Sequence, residues 1–369
     1  MKNRNLNILQ ILPNLESGGV ERGTLEIADY LARAGHNSYV ISGGGRLVTN
    51  LQKGGSHHIT LPIGKKSPLV IFNIFKLLSI YKKYKIDIVH VRSRLPAWIT
   101  LFSLKLMKKK ERPKFVTTIH GYNSVSLYSS IMTKGDAVLI VSHALKRFIL
   151  ANYHIEKRKI TVNHRGVPDK IILNNGKKFS EWIKNWEKKY PSLKEKKLLT
   201  LPARISRHKG LEDFIDLIHQ LKVKKFDIHG LIVGEAKSKN YLLEIKKYID
   251  SKDLSNNITF LGYQADIYEI MKISYITFSL SSLPEAFGRT VIESIKLGVP
   301  VIGYSHGGVG EQLKLVFPEG LISMRTKSAL MKKTIEFIKQ QPEVRPTKLF
   351  SLENMQKNTL AIYKDLLKN

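Results

Sequence analysis

The chain has 369 residues, of which 43% are hydrophobic and 25% charged, the composition of a globular protein with room for two domains. It contains no cysteine, so disulfides, thiolate metal sites and cysteine nucleophiles are excluded. Sixty-one basic against 30 acidic side chains give a formal net charge of +31, and the excess leans towards residues 1–170. A lysine-rich composition spread over solvated helix faces, a nucleic acid partner and an anionic membrane surface each account for that charge.

The first residues, "MKNRNLNILQILPNLESGG", lack the apolar core of a signal peptide. No apolar run reaches the ~18 residues of a membrane span. The longest approach to one, "LPAWITLFSLKLM" (95–107), is broken by Lys105. The expected location is the cytoplasm, with any membrane contact made peripherally, on the cytoplasmic face of an inner membrane.

In chain order, "LNILQIL" (6–12) reads as a strand and 19–34 as an amphipathic helix. Strands follow at 37–42 and 57–62, then an apolar helix at about 68–84, the strand "DIVHV" (87–91) and a helix from about 95. The strands "KFVTTIH" (114–120) and "AVLIVS" (137–142) and a helix from His143 close this half. The polar, lysine-rich stretch 169–196 is read as a hinge with a short surface helix near 178–190. Strands resume at 197–205, 226–234, 257–263, 275–280 and 300–305 with helices between, and 351–369 forms a closing helix. This alternation predicts an α/β protein of two doubly wound, parallel-sheet domains, 1–168 and 197–350, facing across a cleft lined by the carboxyl ends of their strands.

Polar residues concentrate where strands end. Gly18 and Gly19 follow the first strand and precede a helix, as a phosphate-approaching loop does, although a plain turn explains the pair equally well. His120 ends the strand 114–120, where an imidazole can bond a sugar hydroxyl or simply cap a carbonyl; His90 is a weaker case of the same kind. No histidines have metal-ligand spacing, so no metal site is expected. "PARISRHKG" places Arg204 and Lys209 between a strand and a helix, where two cations suit a diphosphate or serve as ordinary solvated charge. Gly234 ends the next strand in "LIVGEA".

"SLPEAFGRTVIESI" (281–294) is the most informative stretch. A loop through Glu285 and Phe287 meets a helix starting near Gly288 or Arg289, and the free N–H groups of Gly288, Arg289 and Thr290 would attract phosphate oxygens. Glu293, one turn in, could accept both hydroxyls of a ribose. Dipole stabilisation alone, worth about 0.3–1 kcal/mol, explains one glutamate there but not the whole group.

Taken in order, the Gly18-Gly19 loop, "HG" at His120, "RGVPD" (165–169), "ARISRHKG", "IVGE", "ITFLGY", the E-x7-E spacing of Glu285 and Glu293, and "LGVPVIGYSHGGVGE" resemble the retaining, nucleotide-sugar-dependent glycosyltransferases of family 4, which have the GT-B fold. The resemblance implies that Glu293 holds the donor ribose and that Arg204 and Lys209 neutralise the diphosphate in place of a metal. It implies too that Glu285 and the backbone after Phe287 contact the donor sugar and phosphates, and that His120 sits beside the anomeric carbon. Ala203-Arg204-Ile205 departs from the family's usual Gly-Arg-Leu, and Pro168 is inserted into its "NGVD". The family's usual proposal is same-face attack, with the departing diphosphate taking the acceptor's proton, and no nucleophile–acid pair of the glycosidase kind is evident here.

The phrases "SGGVERGTLEIADYLARAGH", "SRLPAW" and "PEAFGRTVIES" are similar to lipopolysaccharide-core members, which implies a GDP- or UDP-linked hexose as donor, a lipid-linked glycan as acceptor and no cofactor. In 95–114 an apolar helix ends in lysines, as a membrane contact or a buried sheet helix would. The alternatives are a nucleic-acid-binding protein with a degenerate nucleotide cleft, favoured by charge but lacking any recognition module, and a GT-B nucleotide-sugar epimerase.

Overall fold

The computed structural model describes residues 4–16, 18–168, 171, 176–236, 238–323 and 326–368. Asp169, the last residue of "RGVPD", lies outside them. The chain divides into two compact units, residues 1–166 with 351–369, and residues 167–350.

The first unit holds a seven-stranded, wholly parallel sheet of β1 (Asn7–Ile11), β2 (Asn37–Ser42), β3 (His57–Thr60), β4 (Ile88–Val91), β5 (Lys114–Ile119), β6 (Ala137–Ile140) and β7 (Ile160–Val162). Their order is β3-β2-β1-β4-β5-β6-β7. Helices cover the sheet, so strands such as "IVHV" are buried at every position. The second unit repeats the plan with β8 (Lys197–Pro202), β9 (Ile228–Val233), β10 (Ile258–Gly262), β11 (Ile276–Ser279), β12 (Val301–Tyr304) and β13 (Leu321–Ile322), in the order β10-β9-β8-β11-β12-β13. In each sheet the order of strand addition reverses once, between β1 and β4 and between β8 and β11, and at such a switch point the two crossover helices diverge and leave a crevice at the strands' carboxyl ends.

Three segments depart from the sequence expectation or add to it. The stretch read as a hinge belongs to the second unit. In its helix Gly176–Lys189, Trp182 and Trp186, continued by Tyr190 just past the helix end, pack on Leu198, Leu231 and Leu261 while Lys184 and Lys188 face solvent. The i, i+4 spacing stacks the two indoles 5.4 Å apart, and Trp182 Nε1 donates to Asp266 at 2.5 Å. The closing helix Leu352–Leu366 returns to the first unit, where Met355, Leu360 and Tyr363 join Ile8, Ile27 and Leu31. Each such side chain contributes about 1.5–3 kcal/mol by burial. The apolar run at 68–84 divides into a 3-10 turn, Pro68–Phe72, capped by Ser67, and the helix Asn73–Lys83. β7 and β13, three and two residues long, are too short to leave a periodic signal.

Polar side chains also enter the sheets. His90, in the middle of β4, faces the Tyr363 hydroxyl at 2.5 Å and the Thr118 hydroxyl at 2.6 Å, and burial pushes its pKa well down. His229 on β9 meets the Thr259 hydroxyl at 2.8 Å, and burial, aided by Lys196, lowers it to about 4. Both are uncharged in the folded protein, whereas the unfolded chain protonates them near pH 6.5. Stability is therefore complete above about pH 6.5 and lost as the pH falls towards 4, by up to about 3 kcal/mol for His229. Urea unfolding from pH 7.5 to 4.5 should show the midpoint falling below pH 6.5, and the fall should be shallower in His229→Gln.

Candidate active site

In the second unit the loops after β8 and β11, the two strands at the reversal, are laced together. Ser282 N and Ser281 Oγ donate to His208 O at 2.9 and 2.8 Å. Gly210 has φ +73° and packs on Leu280 O so closely that any Cβ would collide with it. Lys209 Nζ meets Glu285 Oε1 at 2.6 Å, with both side chains about three-quarters buried. Arg204 is exposed, and no hydrogen bond or ion pair ties its guanidinium among the described residues.

The loop through Glu285 then runs against the start of helix Gly307–Val316. Gly308 N donates to Glu285 O at 2.6 Å, Gln312 Nε2 donates to Phe287 O at 2.5 Å, and Phe287 itself is buried edge-on to Phe350. Gly288 has φ +81° and lies against Val309, so it is required both by its left-handed backbone and by the space available. It caps helix Arg289–Lys296, and the first N–H groups of a helix lie too early for an intrahelical acceptor. Glu293 is 4% exposed, and its Oε1 accepts from Arg289 Nε at 2.8 Å and from the Tyr268 hydroxyl at 3.1 Å. Tyr268 had no sequence signal as its partner. Gly234 has φ +157° and no room for a Cβ beside Ala203 O, so the packing of the loops after β8 and β9 explains it without a ligand.

In the first unit, β4, β5, β6 and β7 and the loops after them all deliver residues to one small cavity, among them His90, Arg92, Thr118, His120, Leu139 and Arg165. Gln10 Oε1 accepts from Arg92 Nη2 at 2.6 Å and from its Nε at 3.2 Å. Arg92 Nη1 lies 3.5 Å from His120 Nε2, and Arg165 Nη1 lies 3.3 Å from His120 Nδ1. Arg165 Nη2 also donates to Gly19 O. Burial, then Arg165, Arg92 and His90 in that order, hold His120 well below the usual histidine range, so the ring is neutral. Arg92 and Arg165, only 7% and 8% exposed, were not singled out from the sequence, because their partners are 28 to 146 residues away. Gly18 and Gly19 open the helix Gly19–Arg33 in ordinary backbone conformations, and a Cβ on Gly19 would meet nothing within 4 Å.

Residues 17–170 match the family described as "Glycosyltransferase Family 4", and residues 183–351 match "Glycosyl transferases group 1". A glycosyltransferase from Rickettsia africae is 34% identical and superimposes over 99% of both chains, with a TM-score of 0.84. The chain belongs to the group 1/family 4 glycosyltransferases. Its two Rossmann-like sheets are those of the GT-B fold. Anabaena HepE, crystallised with UDP and glucose, shares that fold at 16% identity over 98% of this chain and all of that one, with a TM-score of 0.83. N-acetyl-α-D-glucosaminyl L-malate synthase of Bacillus anthracis is 25% identical over 321 residues, 82% of this chain and 79% of its own length.

The two glycines at helix starts should respond differently to alanine. Gly288→Ala forces an alanine into the left-handed region and against Val309, which should lower Tm by several degrees, about 1–2 kcal/mol. Gly19→Ala introduces neither strain nor collision, so differential scanning calorimetry should find its Tm unchanged while sugar-transfer activity falls.

Proposed function

We propose that this glycosyltransferase moves a hexose from a nucleoside-diphosphate sugar to a glycan or glycolipid of the lipopolysaccharide-core type, with retention at the anomeric carbon. The observation that carries the proposal is the group at the β8–β11 reversal: Arg204 and Lys209, the Lys209–Glu285 pair, the helix start at Gly288 and the buried Glu293. A diphosphate arriving there would exchange Lys209 from Glu285 to a phosphate oxygen, and the released Glu285 would accept from a sugar hydroxyl. Arg204, Lys209 and the N–H groups of the helix would take up the charge that develops on the leaving diphosphate, an electrostatic contribution to the rate. HepE's complex with UDP makes a UDP-sugar the first donor to try, and a GDP-linked hexose the second.

An anionic, lipid-linked acceptor suits the +31 charge and one surface of the first unit. Leu69, Ile71, Phe72 and Phe75 are exposed on the segment 68–83, beside the exposed Lys65, Lys66 and Lys76. Helix Arg94–Lys105 packs on the same segment through Tyr81 and Ser103, 3.2 Å apart. It buries one face and leaves Phe102 and Leu106 outside, followed by Lys108, Lys109 and Lys110. Apolar side chains ringed by lysines are the pattern of an interfacial contact with anionic lipid. Among the described residues no helix is long and apolar enough to cross a membrane.

Calorimetric titration with UDP, GDP, ADP and CMP in EDTA should give binding of UDP or GDP that is lost in Glu293→Ala. Arg204→Ala and Lys209→Ala should cut turnover by about 10²-fold or more in folded protein. The anomeric configuration of the product, read by NMR, tests retention. Wild-type rates in both cation variants would remove the site assignment. Separately, flotation with phosphatidylglycerol vesicles should show binding that weakens with salt and is lost in the double variant Phe72→Ser/Phe75→Ser.

A further inference from the structure

Gly23 stands in the middle of helix Gly19–Arg33, where glycine costs about 0.5–1 kcal/mol relative to alanine. Its φ is not positive, so the backbone does not call for glycine. What does is the Arg165 guanidinium, which fills the space a Cβ would take. That guanidinium makes two contacts from one plane, Nη2 to Gly19 O and Nη1 to His120 Nδ1.

The pair of contacts fixes more than position. A guanidinium only donates, so each ring nitrogen of His120 faces a donor group: Nδ1 faces Arg165 at 3.3 Å, and Nε2 faces Arg92 at 3.5 Å. A neutral imidazole offers one acceptor and one hydrogen. Arg165 is the nearer cation and is anchored by Gly19 and the gap at Gly23, whereas Arg92 is engaged by Gln10 through Nε and Nη2. Nδ1 is therefore the acceptor and the hydrogen lies on Nε2.

We propose that Arg165 is a positioning residue that ties the glycine loop to His120 and holds that ring with its hydrogen on Nε2. The consequence for catalysis rests on the transferase reading above, in which Nε2–H would donate to the donor sugar; the contact itself does not. The charged and titratable groups that face His120 are Arg165, Arg92 and His90, so loss of Arg165 removes the largest charge that keeps the ring neutral.

The test is long-range 1H–15N NMR of the full chain with 15N-labelled histidine, for wild type, Arg165→Met, Arg165→Lys and Gly23→Ala. The expected wild-type spectrum has Nε2 protonated and Nδ1 bare. Arg165→Met should populate the other tautomer and raise the His120 pKa towards 6.5. Arg165→Lys keeps the charge but not the two-pronged contact, so it should mix the tautomers with a smaller pKa change, and it serves if the methionine variant does not fold. Gly23→Ala should behave like Arg165→Lys without loss of thermal stability. In each variant that transfers sugar, the loss should fall on kcat rather than KM, by about 10²-fold, as for a misplaced catalytic group. A wild-type ring protonated on Nδ1, or a tautomer and titration unchanged in the folded Arg165 variants, would overturn the proposal. Spectra as expected from an enzyme that transfers no sugar would leave Arg165's role standing and count against the transferase role of His120.

Discussion

The segment from Leu280 to Gly288 reaches the start of helix Arg289–Lys296 because glycines flank it on three sides. Gly210 admits Leu280 O, Gly307 and Gly308 admit the backbone of Glu285 and Ala286, and Gly288 turns left-handed against Val309. Side chains at these positions would push the loop off the β8–β11 reversal. Lys209 and Glu285, 76 residues apart, meet because that loop is fixed, and the same turn sets the start of the helix beside them. The placement of these side chains is thus set by backbone packing before any charged group is considered.

The first unit solves a different problem, since it buries cations. Arg92 and Arg165 lie at the ends of β4 and β7 with Gln10, Gly19 O and a neutral His120 as their partners. Two guanidiniums side by side are tolerable only while the imidazole between them is uncharged, and burial together with their own fields keeps it so. The cations thereby hold a histidine that stays neutral and does not titrate near neutral pH. His90 below it is held neutral by burial and by Arg92, with Tyr363 and Thr118 as its partners.

Tyr363 and Met355 arrive from the closing helix, so this polar cluster is completed by residues at the far end of the chain. Asn163 makes the same connection, donating to Thr359 Oγ1 at 2.8 Å. The C-terminal helix is therefore part of the cavity wall beneath His120 and not an appendage to the second unit.

The sequence alone determined the two parallel sheets, because a strand buried on both faces must be a nearly continuous apolar run, and the order of the motifs at the strand ends. The loop, cap and helix that carry Glu285, Gly288 and Glu293 were legible because they are contiguous in the chain. Only the tertiary structure decided that helix Gly176–Lys189 packs on the second sheet, that 351–369 folds with the first, and that Arg92, Arg165 and Tyr268 are partners of residues already suspected. Periodicity and turn chemistry report on neighbours within one element. Arg165 reads as an ordinary charge until Gly19 and His120, 146 and 45 residues away, are brought beside it by the winding of a single sheet.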